Sequence, residues 1–319
     1  MGSERKLFQV FVDGVNSKER TAKVYAATLR RIHREVYRKE LSDLELKFAR
    51  KTKILNYTKK IVNLTRRKNA ATAVVMGLRA TGAPEKTIAK FRTVMLDADK
   101  DYQKFLVSGK RKRPFENAEA AWKIVVNLHK KVAKEIDARN LWSVGSKVNA
   151  AEYRVLMAWI YLKWVAALPP RRLEYTETRL ISKKAFDALD NKEGNYVVMG
   201  KRKWTWNLHQ FKTVGKYGPA IIAIPGPLKA GLNKLRPIIE AKNDKGHVFL
   251  NNKWGALSRS QFSSFVKWVF QKYAEKKWTQ NTVRSIKVSS VWKPDMENPL
   301  KLAEDMGHSV ETAILHYKQ

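Results

Sequence analysis

Ala22, Tyr25, Leu29, Ile32 and Val36 recur at alternating three- and four-residue steps, with Arg30, Arg31, Arg34 and Arg38 interleaved. At 3.6 residues per turn this spacing gathers the apolar side chains on one face of a helix and turns the arginines outward, whereas a strand would scatter both. The segment 44–64 repeats the idea, with Leu46, Ile54, Tyr57, Ile61 and Leu64 among Lys47, Arg50, Lys51, Lys53, Lys59 and Lys60. Two more helices are expected over 70–79 and 84–105, the second opened by Gly82-Ala83-Pro84, where proline is tolerated at an early helical position. The first third of the chain therefore reads as helical and basic.

That basic excess is one-signed. Residues 1–147 hold 35 Lys and Arg against 15 Asp and Glu, and the whole chain carries a formal charge of +35. An ordinary solvated helix face mixes its signs, while a field of this size concentrates polyanions and speeds their encounter. Nucleic acid is the expected partner, with Arg30, Arg31, Arg34 and the cluster Lys110-Arg111-Lys112-Arg113 as expected contacts. The 44% hydrophobic content and ten tryptophans call for packed cores. No run approaches the roughly 18 apolar residues of a membrane-spanning helix, and no signal peptide opens the chain. A soluble protein is expected, with no membrane partner, acting at DNA inside the cell, in nucleus or cytoplasm. The absence of cysteine excludes a disulfide framework, a thiolate nucleophile and a cysteine zinc site. With no Gly-rich phosphate loop and no metal-spaced His or carboxylate cluster, no cofactor is expected.

The run Lys110-Arg111-Lys112-Arg113-Pro114 interrupts the helical periodicity and reads as a hinge. A helix over 118–138 follows, leading to Gly145. The expected division is a basic helical DNA-binding domain over 1–109, a linker and helix over 110–147, and a second domain over 148–319. In the second domain a helix from Ala150 runs to Leu168 and stops at Pro169-Pro170, and another helix past Arg171 is expected to carry Leu173, Tyr175 and Leu180. Strands are expected over 195–199, 204–208 and 219–224, then helices over 228–240, 260–273, 280–292 and 299–306. The fold class is mainly α with a small antiparallel β-sheet (α+β), without internal repeats.

Gly307-His308 is followed nine positions later by Tyr317, a spacing that suits a nucleophile and its phosphate-binding partner. On so basic a chain the target is a phosphodiester. Cleaving one without a metal needs several fixed cations, for which the planar guanidinium fork is suited, and an acid for the departing oxygen. Arg171-Arg172-Leu173-Glu174 after a helix end, Lys201 and Lys212 among the strands, and Arg284 in Asn281-Thr282-Val283-Arg284 offer these parts in order. An arginine pair at the positive end of a helix dipole is disfavoured unless an anion binds there.

In this order the motifs resemble the catalytic domain of tyrosine recombinases, including phage-type integrases, over about residues 150 to 317. The form Leu168-Pro169-Pro170-Arg171-Arg172 looks most like the variant in virophages and large DNA viruses. The resemblance implies a core-binding helical domain followed by a catalytic domain, double-stranded DNA as partner, and a homo-oligomer, dimer to tetramer, on that DNA. It also implies site-specific DNA integration or recombination by a viral or mobile-element protein. Arg171 matches the first catalytic arginine, because Glu174 stands three positions on; Arg172 is the alternative. Lys212 matches the hairpin lysine, the general acid for the 5′ oxygen, with Lys201 as its rival. Arg284 matches the second arginine, and Asn281 stands where the family carries histidine, keeping an amide donor but no titratable group. His308 matches the second histidine and Tyr317 the nucleophile, which forms a 3′-phosphotyrosyl link without ATP or metal. Family members continue past the tyrosine into a segment that docks on a neighbouring subunit, whereas Lys318 and Gln319 alone follow it here. A type IB topoisomerase or a hairpin telomere resolvase uses a similar residue set. A non-catalytic DNA-binding protein would explain the charge and leave the ordered motifs as coincidence.

Overall fold

A computed structural model of the chain describes residues 7–16, 19–39, 52–107 and 114–291. The chain divides into two compact units, Met1–Lys112 and Arg113–Gln319.

The first unit is helical: α1 (Leu7–Val15), α2 (Glu19–Tyr37), α3 (Thr52–Lys60), α4 (Leu64–Ala80) and α5 (Glu85–Val107). The stripe on α2 behaves as its spacing requires, with Ala22, Leu29 and Ile32 buried and Arg30 and Arg34 exposed. Helix α4 reaches its neighbours through small side chains, Ala70, Ala73 and Gly77. A Cβ on Gly77 would stand 3.0 Å from Leu29 Cδ1 and 3.7 Å from Phe11 Cζ, so glycine lets α1 and α2 close on α4. The expected single helix over 44–64 is divided in its described part. Helix α3 ends at Lys60, and Asn63 starts α4 afresh by accepting from the Arg66 amide at 2.9 Å, a strong N-cap. Leu46, Lys47, Arg50 and Lys51 lie outside the described residues. Glu35 of α2 accepts from Tyr57 of α3 and Arg66 of α4, and Arg67 pairs with Asp101 of α5 at 3.1 Å. Partly solvated pairs of this kind contribute about 0–1 kcal/mol each, so the apolar core carries the unit.

The second unit opens with α6 (Ala118–Ala138) and α7 (Leu141–Val144), and is built around α8 (Ala150–Ala167). Asn149 and Glu152 close a reciprocal capping box at the start of α8. Tyr153, Leu156, Ile160, Tyr161, Trp164 and Val165 bury most of its circumference, which makes it a central helix rather than a surface one. Four strands follow, β1 (Arg179–Ser182), β2 (Asn195–Met199), β3 (Trp204–Leu208) and β4 (Ala220–Ala223), with α9 (Lys183–Asp187) after β1 and α10 (Val214–Tyr217) before β4. The sheet order is β1-β2-β3-β4, and Trp206 of β3 meets Trp164 of α8 edge-on at 4.8 Å, joining sheet to helix. Helices α11 (Gly226–Lys242), α12 (Arg259–Ala274) and α13 (Gln280–Val291) complete the described unit.

Helices dominate and the sheet is small, as the sequence pattern requires, but the sheet is mixed rather than antiparallel. Strands β2, β3 and β4 pair antiparallel, while β1 pairs parallel with β2, Leu180 opposite Val197. A parallel pair needs a crossover, which residues 183–194 supply. The helix expected past Arg171 is absent: residues 171–177 form turns, and Leu180 lies in β1. The Arg171 amide bonds the Tyr175 hydroxyl, and Glu177 takes φ +59°, a left-handed conformation that no helix continues through. The helix expected over 299–306 lies outside the described residues. Among the described residues no helix is long and apolar enough to cross a membrane.

Candidate functional site

Pro169-Pro170 ends α8 after Leu168, whose amide makes the last bond to the Trp164 carbonyl at 2.9 Å. Arg171 therefore emerges on a turn rather than a helix. It is only 3% exposed, and its guanidinium carbon stands 5.5 Å from the centre of the Phe211 ring. Its backbone is held at both ends. The amide donates to the Tyr175 hydroxyl at 3.1 Å, and the carbonyl accepts from Gln280 Nε2 at 2.5 Å.

Gln280 belongs to the far end of the sequence and opens α13. Thr279 starts that helix by accepting from the Thr282 amide at 3.2 Å. Gln280, 4% exposed, also accepts from the Tyr161 hydroxyl of α8, so its carboxamide ties α13 to both α8 and the Arg171 turn. Arg284 follows one helical turn later, on the same face, and is 2% exposed. The two candidate arginines thus come to one place around Tyr175. Burial pushes the Tyr175 phenol far above the usual range; the Arg171 amide and the charges of Arg171 and Arg284 pull it down, and Glu174 pushes it up. With its ring stacked on Phe262 and edge-on to Trp164, this tyrosine is a protonated scaffold and no nucleophile.

Lys212 is exposed and follows Phe211 in the β3–β4 connection, one residue beyond the ring that faces Arg171. Lys201 is exposed in the tight β2–β3 turn. Asn281 is exposed in the first turn of α13, three positions before Arg284. Arg30, Arg31 and Arg34 lie on α2 of the first unit, Arg31 half-buried. Lys110, Arg111, Lys112, Arg113, His308 and Tyr317 lie outside the described residues.

Sequence reasoning missed Gln280 and the role of Tyr175. A signal for the first was present: Gln280, Val283 and Arg284 follow an i, i+3, i+4 stripe, so two polar residues occupy buried positions of an otherwise apolar face. It also missed a shallow groove of about 660 Å³ beside Thr279, walled by Trp268, Gln271, Lys267, Lys272 and Lys277. Its wall is mostly apolar, with three lysines around it. Buried guanidinium groups on a turn braced through its backbone suit an anionic, phosphate-bearing substrate.

No family model matches the sequence, and no curated protein matches it. Among solved structures the chain is similar to a crystal structure of XerA recombinase, with 13% sequence identity and a TM-score of 0.39 over 98% of this chain and 92% of that one.

Proposed function

We propose that the chain breaks and rejoins DNA strands by the tyrosine-recombinase chemistry, acting as a homo-oligomer on duplex DNA. The observation that carries this reading is the convergence of Arg171 and Arg284 about Tyr175, linked through Gln280 from 109 positions away. Both arginines are almost fully buried, at 3% and 2% exposure, on a braced turn and a capped helix, which supports fixed electrostatic stabilisation of a phosphate over loose surface contact.

In this mechanism Tyr317 Oη attacks the scissile phosphorus in line and the bond from phosphorus to the 5′ oxygen breaks. The phenolic proton passes to water, and the departing 5′ oxygen takes a proton from the Lys212 ammonium. Arg171, Arg284 and His308 hold the non-bridging oxygens, where charge grows most in the transition state. Asn281 adds an amide donor and no proton transfer. The 3′-phosphotyrosyl link conserves the bond energy, so a 5′ hydroxyl can reverse the step on the same or a different end.

Tyr317→Phe tests the assignment. The variant is expected to bind duplex DNA as the unsubstituted chain does and to form no covalent product. Covalent product retained by this variant would remove Tyr317 from the mechanism.

A further inference from the structure

Tyr161 of α8 and Tyr175 both have 0% exposure, and their rings meet edge-on at 5.9 Å. Phe262 of α12 packs on both, edge-on to Tyr161 and stacked on Tyr175, while Phe265 and Phe270 close on Tyr161 and Phe249 on Tyr175. Phenylalanine thus serves in this cluster wherever a ring alone is needed. A buried phenol oxygen costs free energy unless it is hydrogen-bonded, so its place among phenylalanines calls for a task. Both oxygens lead to Arg171. The Tyr175 hydroxyl accepts from the Arg171 amide at 3.1 Å. On the other side of the same Cα, the Arg171 carbonyl accepts from Gln280 Nε2 at 2.5 Å, and Gln280 Oε1 is bonded to the Tyr161 hydroxyl. A carbonyl can only accept, so the nitrogen of Gln280 must face Arg171 and its oxygen must face Tyr161, whose hydroxyl therefore donates. Burial pushes both phenols well above their usual range, so the Tyr161 proton that this bond needs stays in place.

We propose that Tyr161 and Tyr175 are positioning residues for Arg171: by holding the backbone on both sides of its Cα, they aim the guanidinium at the non-bridging oxygens of the scissile phosphate before substrate arrives. The proposal deepens the phosphotyrosyl reading above and rests on it. An arginine side chain swings from its Cα, so a Cα fixed on both sides limits where the fork can reach. A cation fixed in advance stabilises growing charge without reorganising at the moment of reaction. Phenylalanine at either position would fill the same space and lose the hold. At 175 it leaves the Arg171 amide without this acceptor, and at 161 it leaves the Gln280 oxygen without this donor.

The test uses two nicked duplexes bearing the sequence recovered from trapped product. One carries the ordinary scissile phosphate; in the other a methyl group replaces one non-bridging oxygen, which removes the charge that the fork is placed to neutralise. Arg171→Ala sets the pattern, with roughly 100-fold or more lost on the ordinary duplex and less than about threefold on the neutral one. Tyr161→Phe and Tyr175→Phe each delete one oxygen and keep the ring. Each is expected to slow single-turnover cleavage of the ordinary duplex by roughly 10-fold, the scale of one buried hydrogen bond, with duplex affinity and cleavage of the neutral duplex little changed. Tyr153→Phe is the control. Tyr153 lies on the same helix at 1% exposure, but its hydroxyl donates to the Val248 carbonyl at 2.9 Å and takes no part in the Arg171 contacts. Any loss it causes should be the same on both duplexes. On the ordinary duplex, Tyr175→Phe added to Arg171→Ala should cost nothing further, a comparison that stands even where the neutral duplex is a poor substrate. Equal losses on the two duplexes at Tyr161→Phe and Tyr175→Phe, a further loss in the double variant, or the same selective loss at Tyr153→Phe would each overturn the proposal. In all three the unsubstituted chain still cleaves, leaving the phosphotyrosyl reading intact. An unsubstituted chain that cleaves neither duplex would overturn that reading and this proposal together.

Discussion

Gln280 donates from Nε2 to the carbonyl of Arg171 at 2.5 Å, with both residues buried and 109 positions apart in the chain. The same carboxamide accepts from Tyr161, so three elements meet at one side chain. Gln280→Leu leaves the Arg171 carbonyl and the Tyr161 hydroxyl without that partner, at about 1–3 kcal/mol for each buried group left unsatisfied. The urea midpoint of the second unit should fall, and cleavage should fall further than DNA binding, because the Arg171 turn loses a brace. An unchanged midpoint would show that the link carries no load.

In the proposed mechanism Arg171 and Arg284 act through the guanidinium fork, not charge alone. Lysine at either position keeps the charge and loses the paired donors, so single-turnover cleavage should drop by about 10²–10³ while duplex affinity changes little. Equal losses of cleavage and affinity would instead mark them as plain phosphate contacts.

The exposed arginines of α2 should contribute affinity without chemistry. Removing two phosphate contacts with Arg30→Ala and Arg34→Ala should lower the slope of log affinity against log salt by about 2, since each contact releases close to one counterion. Anisotropy titrations of a labelled duplex across salt concentrations measure this. An unaltered slope would place the DNA on another face of the first unit.

Acid should unpick the second unit through Glu135. Burial raises this carboxyl, but hydrogen bonds from Lys272, Tyr273 and Arg139 outweigh it, leaving the group below its ordinary 4.5. A carboxyl lowered in the folded state adds stability that is complete above the unfolded value and is lost as pH falls through the folded one. The urea midpoint should therefore drop on acidification below about pH 4.5, and Glu135→Gln should drop less steeply. Parallel acid profiles for the two proteins would contradict this.

Helices α2 and α6 and the strands β2 and β3 are legible in the sequence because local pattern decides them: apolar spacing with an Asn117 cap for α6, and a short basic turn between two β-rich runs for the strands. The stretch from Leu173 to Leu180 is not legible. Its apolar spacing imitates a helix, while Tyr175 is claimed by the core, Glu177 adopts a left-handed turn and Leu180 pairs with Val197 in a parallel strand pair that lies beyond local sequence. The candidate site divides in the same way. Arg171 and Arg284 announce themselves as charges at a helix break and in an apolar stripe, but their shared neighbour Tyr175 and the clasp of Gln280 exist only once α8 and α13 have packed.

The most direct measurement of the central claim is covalent trapping. A pool of nicked duplexes, from which the cleaved strand's short 5′-hydroxyl fragment diffuses away, is incubated with the chain, and the denatured product is digested and mapped. The expected result is DNA attached through a 3′ phosphate to the peptide containing Tyr317, with the attached sequence giving the cleavage site. Tight, salt-sensitive binding across the pool with no covalent product, or attachment at another residue, would contradict it.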